Sequence, residues 1–167
     1  MTDAEVRDAF DEHKNAIYRL AWRLCGSAAA AEDITQDVFV ALLRDSERFD
    51  PARGRLRSFL LGITRNLALK QLRREDRLEA LDGDAAVVEP IDIERGEVGE
   101  IVGRAVRALP TLQREVVILF EYEDLTLAEI AQVVDANVGT VKSRLHRARD
   151  NLRSLLAPLR SRQTTST

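Results

Sequence analysis

The sequence is poor in the residues that stabilise small secreted domains and that build many metal sites. Cys25 is the only cysteine among 167 residues, which excludes an internal disulfide and a cysteine-cluster zinc site. We interpret it as a small buried hydrophobic residue. No apolar run approaches the roughly 20 residues that cross a bilayer. The first residues are acidic and lack the basic-then-apolar order of a secretory signal. We therefore expect a soluble, cytoplasmic chain.

Signatures of catalysis are also missing. The sequence contains no Gly-rich loop that could cradle a phosphate and no nucleophile elbow. His13 and His146 lie far apart, without the short spacing of metal ligands. We expect neither an enzyme nor a bound cofactor or metal ion.

The composition instead favours helices. Hydrophobic residues make up 45% of the chain, aromatic residues 5% and charged residues 32%, a mixture that suits compact helical modules. Apolar residues recur at helical spacing on both sides of an acidic stretch that contains Pro90 and Gly96. We predict an all-α fold: a helical bundle over 1–78, a flexible linker over 79–99, a helix-turn-helix module over 100–160 and a disordered tail over 161–167.

The net charge of −3 conceals a strong asymmetry. The segment from Glu79 to Glu100 is almost wholly acidic, whereas the segment from Lys142 to Arg162 is almost wholly basic. A second basic cluster runs from Arg53 to Arg74. Two basic segments on either side of an acidic one indicate two nucleic-acid-facing modules on a tether.

The most specific pattern is a helix-turn-helix. Thr126 and Glu129 have the spacing of a capping box, and the residues after Val134 offer turn chemistry before a second helix begins. A buried stripe on that second helix leaves a polar and basic face, which is suited to a DNA major groove. We predict that this face binds DNA with Thr140, Lys142, Ser143, Arg144, His146, Arg147 and Arg149.

Several motifs together resemble one known family. The segment 109–116 leads into the helix-turn-helix, and 138–149 is similar to the C-terminal signature of the extracytoplasmic-function (ECF) sigma factors, group IV of the sigma-70 family. The segments 31–39, 49–51, 56–60 and 63–68 resemble the family's polymerase-docking and promoter-melting motifs, in the expected order. One departure is Phe59, which stands where the family often has Trp.

The resemblance implies that the polar and basic face of the helix-turn-helix reads the −35 element of promoters, and it also implies a role for each N-terminal motif. Docking onto the clamp helices of the largest subunit of core RNA polymerase falls to Glu32, Asp33, Gln36, Asp37 and Phe39. Recognition and melting of the −10 element falls to Asp50, Arg53, Arg57, Ser58, Phe59, Arg65, Asn66 and Lys70, because aromatic and basic side chains can hold unstacked bases and single-strand phosphates. A surface near Leu112 would contact the flap of the second-largest subunit. An anti-sigma factor, which could be tethered to a membrane, would restrain the whole chain.

Two other interpretations remain open from the residues alone. A conventional helix-turn-helix repressor or activator would bind duplex DNA without polymerase, but it leaves the basic cluster from Asp50 to Lys70 unexplained. A helical decoy would bind core polymerase without selecting promoters.

We also predict that Trp22 packs in the core of the first module.

Overall fold

The computed structural model describes residues 1–75 and 96–165, with side chains described as far as residue 159. Most of the predicted acidic linker, 79–95, lies outside the described residues. Its last residues, Val98 and Gly99, form the first turn of a helix rather than part of a linker. The two described parts contain α-helices and no strand, which confirms the predicted all-α class.

Three helices form the first module. Helix α1 spans Asp3–Cys25, begins with a capping box between Thr2 and Glu5, and ends at Gly26, whose φ of 69° is left-handed. Helix α2 spans Ala28–Asp45. A 3₁₀ turn, Ser46–Arg48, and a further turn through Pro51 lead into α3, Leu56–Arg74. Buried apolar side chains from all three helices form the core of this module.

Four helices form the second module. They are α4 (Val98–Ala108), α5 (Thr111–Val117), α6 (Leu127–Val133) and α7 (Val138–Thr165). A π-helical segment, Ile118–Tyr122, continues α5 by more than a turn. Thr126 and Glu129 form the predicted capping box at the start of α6. Helices α6 and α7 make the predicted helix-turn-helix, whose corner is Asp135 at φ 53°.

The end of the chain differs from the prediction. The tail over 161–167 was expected to be disordered, but α7 continues to Thr165. Pro158 lies inside this helix. The residues after Pro158 include no Gly or Pro, the two strongest helix breakers, so the helix continues even though Ser and Thr in this stretch are weaker helix formers.

The two modules pack directly against each other, which the sequence did not predict. Helix α3 of the first module lies along α6 of the second, and α1 contacts α5 and the π-helical segment. A Cβ added to Gly62 would lie only 3.9 Å from the Cα of Val133, so the two backbones approach closely there. The buried apolar residues of both modules form one continuous cluster. We call this contact the module junction.

Two assignments of single residues have opposite outcomes. Cys25 is 1% exposed, so its assignment as a buried small hydrophobe is confirmed. Trp22 is 40% exposed, so its assignment to the core is wrong. The buried stripe of α1 runs through Leu20, Ala21 and Leu24, and Trp22 projects beside that stripe toward a groove shared with α4.

Candidate nucleic-acid interface

Helix α7 presents the predicted −35 face to solvent. Asn137 caps the helix by accepting a hydrogen bond from the Thr140 N–H at 2.8 Å. Val141, Leu145 and Ala148 are buried and hold the opposite side of the helix against the module. Five of the seven predicted DNA-reading residues are exposed and two are half-buried; the exposed ones are Lys142, Ser143, His146, Arg147 and Arg149, and the half-buried ones are Thr140 and Arg144.

Two residues of this face make solvent-exposed contacts with carboxylates. His146 lies 3.4 Å from Asp150 on the next turn. Arg149 lies 3.4 Å from Glu121 and its guanidinium sits 5.3 Å from the centre of the Phe120 ring. Exposed pairs of this kind contribute little stability, so Arg149 can exchange Glu121 for phosphate at small cost.

The predicted docking face lies on α2. Glu32, Asp33, Gln36 and Asp37 are all exposed. Phe39 differs, because it is half-buried and its ring packs against that of Phe10 with centroids 4.8 Å apart. The acidic side chains therefore form a continuous solvent-facing stripe, while Phe39 fixes the helix to α1.

Two exposed apolar side chains on this helix escaped the sequence analysis. Val40 is 48% exposed and Leu43 is 44% exposed. They follow Gln36 at intervals of four and three residues, which places them on the same side of the helix. The helical periodicity could have predicted their exposure, because both residues fall outside the buried stripe of Ile34, Val38 and Leu42.

The predicted melting segment borders an open groove between the modules. The groove encloses about 740 Å³ and is lined by residues from 48–66 and from 132–135. Asp50, Arg53, Asn66 and Lys70 are exposed. Phe59 is half-buried, and its ring lies 5.5 Å from that of Phe49. The groove thus holds an aromatic pair beside polar groups, a combination that can receive an unstacked base.

Three other predicted melting residues are engaged by glutamates of the second module. The first is Arg57, which donates to the Glu123 carboxylate at 2.7 Å and to its backbone carbonyl at 2.7 Å. Glu123 has a fully buried side chain and also pairs with Arg19 at 3.1 Å and Arg23 at 3.7 Å. The π-helical segment positions it, because the Glu123 N–H donates to the carbonyl of Ile118 five residues earlier.

The second engaged residue is Arg65. Its guanidinium donates to both carboxylate oxygens of Glu115, at 2.8 and 3.0 Å, in the bidentate geometry that arginine favours. The Glu115 side chain has no exposed surface and that of Arg65 is 13% exposed. Burial raises the pKa of Glu115 above its usual value, and the Arg65 guanidinium opposes that rise.

The third engaged residue is Ser58, which is buried and donates to Glu129 at 2.9 Å. Arg55 pairs with the same carboxylate. Partial burial favours the neutral acid, but hydrogen bonds from the Thr126 N–H, Arg55 and Ser58 outweigh it and lower the pKa of Glu129 to about 2. Glu129 therefore accepts hydrogen bonds both from the N-terminus of α6 and from the first module across the module junction.

Sequence reasoning missed the junctional role of these three glutamates. Glu115 and Glu123 carried no local signal, because their partners lie 50 and 66 or more residues away in the chain. Glu129 was recognised for its capping-box spacing alone.

Comparison with known families identifies both modules. Residues 9–78 match the sigma-70 region 2 family, and residues 99–152 match the sigma-70 region 4 family. SigK, an ECF RNA polymerase sigma factor of Mycobacterium tuberculosis, is 31% identical to this chain over 161 residues, which cover 91% of this chain and 84% of SigK. The chain belongs to the ECF sigma factors.

Other relatives differ in length from this sigma factor. SigE of Mycolicibacterium smegmatis is 36% identical over 87% of this chain, which spans only 59% of SigE. SigW of Bacillus subtilis is 29% identical over 91% of this chain and 89% of SigW. Both are ECF RNA polymerase sigma factors, so the family assignment does not depend on the longer relative.

Two solved structures share the fold of this sigma factor. One is the sigma factor RpoE of Bartonella quintana in complex with the anti-sigma factor NepR, with a TM-score of 0.72, 27% identity and coverage of 92% of this chain and 97% of RpoE. The other is CnrH in complex with the cytosolic domain of CnrY, with a TM-score of 0.70, 25% identity and coverage of 94% and 90%.

Two kinds of feature are absent from the described residues. Within 1–75 and 96–165, no helix of the sigma factor is both long and apolar enough to span a bilayer. The same part of the chain holds no cluster of His, Cys, Asp and Glu arranged to bind a metal ion.

Proposed function

We propose that this sigma factor binds core RNA polymerase and directs it to promoters by dividing the work between its modules. The first module, 1–78, docks on the polymerase and melts the −10 element, and the second module, 100–160, reads the −35 element. Most of the acidic linker between them, 79–95, lies outside the described residues. The observation that carries the proposal is the separation of two surfaces: an acidic face on α2 and a basic face on α7.

The face of α2 is suited to the clamp helices of the largest polymerase subunit. Its exposed carboxylates are Glu32, Asp33 and Asp37, and complementary charge of this kind sets register and speeds encounter. Val40 and Leu43 add apolar area beside the acids, and such area supplies affinity where charge supplies orientation. We propose these two residues as further docking residues, together with the flap contact near Leu112.

The two DNA-facing surfaces have different chemistry. The exposed Lys142, Ser143 and Arg147 on α7 can donate to base edges and phosphates in a major groove. The groove beside α3 instead combines the Phe49–Phe59 pair with Asp50 and Asn66, which favours a flipped single-strand base over a duplex. Bond formation then belongs to the polymerase, and the sigma factor itself needs no catalytic group.

An anti-sigma factor is the proposed regulator. The support is that two solved sigma factors with this fold are in complexes with anti-sigma factors. The partner would act in the cytoplasm, where core polymerase is found. Co-purification from unstressed cells tests this proposal, and recovery of the sigma factor alone and transcriptionally active would contradict it.

Run-off transcription with purified core polymerase and a promoter library tests the main proposal. Transcripts that share upstream motifs and form only when the sigma factor is added are the expected result. Core binding without any transcript would indicate a decoy. Specific duplex binding with neither transcript nor core binding would indicate a repressor or activator.

A matched pair of variants tests the docking face. Replacing Val40 and Leu43 with Ser should weaken core binding roughly tenfold, because the loss of two apolar anchors costs about 1 kcal/mol or more. The control replaces Arg73 and Arg74, exposed at the end of α3, with Gln. Equal affinity of the two variants for core polymerase would exclude Val40 and Leu43 from docking.

A further inference from the structure

Three glutamates of the second module hold the first module in place. Glu115, Glu123 and Glu129 each receive hydrogen bonds from arginines of α1, α3 or the turn before α3. Among the described side chains, five arginines of the first module pair with these carboxylates: Arg19, Arg23, Arg55, Arg57 and Arg65. We call the three glutamates the glutamate lock.

The lock occupies the groups that DNA would need. A carboxylate and a phosphate present the same kind of anionic oxygen acceptors to a guanidinium, and arginine binds both in a bidentate manner. The guanidinium groups of Arg57 and Arg65 donate hydrogen bonds to Glu123 and Glu115, respectively. Ser58 is buried beneath α6 and donates to Glu129. In this conformation none of these three side chains can bind a DNA strand without losing its glutamate.

The spacing of promoter elements requires the same contact to break. Elements centred at −10 and −35 lie about 25 base pairs apart, or about 85 Å at ~3.4 Å per base pair. A compact chain of this length is only about 40 Å across, and duplex DNA of this length is too stiff to fold back. The modules cannot remain packed through α3 and α6 while each contacts its own element.

The junction is also built to open. Burying charged pairs costs desolvation that largely cancels their mutual attraction, so such pairs specify an arrangement more than they stabilise it. Arg55 is 60% exposed and Arg19 is 46% exposed at their side chains, so water and other anions reach the rim of the junction. A polyanion that offers several phosphates at once can therefore replace the carboxylates.

We propose that Glu115, Glu123 and Glu129 act as an internal competitor of promoter DNA, which keeps the unbound sigma factor closed and its melting surface covered. This inference rests on the proposed function, since it assigns DNA melting to α3. The competitor is part of the chain itself, so the closed form exists without an anti-sigma factor. Binding to core polymerase then separates the modules and frees the arginines for the melted strand.

The test compares two full-length variants with the unaltered chain. The triple variant Glu115→Gln, Glu123→Gln and Glu129→Gln removes the lock's charges and keeps the side-chain shapes. Asp124→Asn is the control, because Asp124 is exposed beside Glu123 and its φ of 55° suits Asn equally well. The measurements are small-angle scattering of the free protein and its affinity for a fluorescent mixed-sequence single-stranded DNA, without polymerase.

The triple variant should have a larger radius of gyration and should bind the DNA roughly tenfold more tightly, because the binding-competent fraction limits the apparent affinity. Asp124→Asn should match the unaltered chain in both measurements. An unchanged radius and an unchanged affinity in the triple variant would overturn the lock. Circular dichroism checks folding; if the triple variant is unfolded, Glu129→Gln alone retains the capping box and should show a smaller shift in the same direction.

Run-off transcription of the same proteins separates the two proposals. Transcripts from the unaltered chain, combined with no opening of the triple variant, leave the sigma function intact and reject the lock. Opening and tighter DNA binding without transcripts from any protein support the closed form but reject the sigma function. Opening together with promoter-specific transcripts supports both.

Discussion

The two basic surfaces of this sigma factor are alike in sequence and opposite in environment. On α7, Lys142, Arg147 and Arg149 are exposed, and the pairing of Arg149 with Glu121 is a solvent-exposed contact of 3.4 Å. On α3, Arg57 and Arg65 are covered by glutamates of the second module, as Arg65 is by both oxygens of Glu115. A basic run therefore indicates the chemistry of a surface but not its availability. If the proposed assignments hold, the −35 residues are accessible in the closed chain, whereas Arg57, Ser58 and Arg65 of the −10 set must first be uncovered.

The largest expected effect comes from fixing the junction covalently. A disulfide between Gly62→Cys and Val133→Cys would do this at the closest approach of the two modules, where a Cβ at residue 62 would lie 3.9 Å from the Cα of Val133. The oxidised protein should lose run-off transcription by roughly a hundredfold, since a fixed closed form leaves few competent molecules. Duplex binding through α7 should persist.

Reduction of that disulfide should restore transcription. Each single-cysteine variant is the control, and the native Cys25 is buried at 1% exposure and so should not compete for pairing. Full transcription by the oxidised protein would show that α3 and α6 need not separate. The covering of the α3 arginines would then have no effect on promoter opening.

A stability comparison should distinguish the surfaces by about 3 kcal/mol. Arg65→Met leaves the buried Glu115 without its bidentate partner, and breaking a buried ion pair from one side is strongly destabilising. Lys142→Met changes an exposed side chain and should alter the free energy of unfolding by no more than about 0.5 kcal/mol. Urea denaturation measures both.

The double variant Arg65→Met and Glu115→Leu sharpens that comparison. Because removal of both partners leaves no unpaired buried charge, it should lose less stability than Arg65→Met alone. A double variant as unstable as the sum of the two single variants would mean that the pair contributes through packing rather than charge.

A smaller effect is expected in the salt dependence of duplex binding. Lys142→Gln should reduce the slope of log K against log salt by about 0.9, as expected for the loss of one phosphate contact. Lys70→Gln, which changes an exposed cation of α3, should leave duplex binding by the free chain unaltered. Fluorescence anisotropy across a salt series measures the slopes, and equal changes would show that both surfaces contact the duplex.

The smallest expected effect is on the pH dependence of stability. The pKa of Glu129 is lowered to about 2 in the folded chain from its ordinary 4.5, so its stabilising contribution is complete above about pH 4.5 and falls as the pH drops toward 2. The stability difference between the unaltered chain and Glu129→Gln should therefore shrink over that interval. A difference that stays constant would mean that the carboxylate charge of Glu129 does not stabilise the junction.

Local features of this protein followed from the sequence. The helices, the capping box of Thr126 and Glu129, the turn at Asp135 and the buried stripe of Val141 and Leu145 depend on residues only a few positions apart. Such short-range patterns carry their own physical signal, because caps and amphipathic periodicity act within one or two turns. The same reasoning placed most of the α7 face in solvent, where the structure has it.

The tertiary structure alone decided which of these surfaces are covered. Arg19 and Glu123 lie 104 residues apart, and nothing near either residue indicates the other. Trp22 was misplaced for a related reason, since its exposure depends on how α1 meets α4 rather than on its own apolar character. Sequence periodicity determines which face of a helix is buried within its module, but contacts between modules depend on shape and charge that assemble only when the chain has folded.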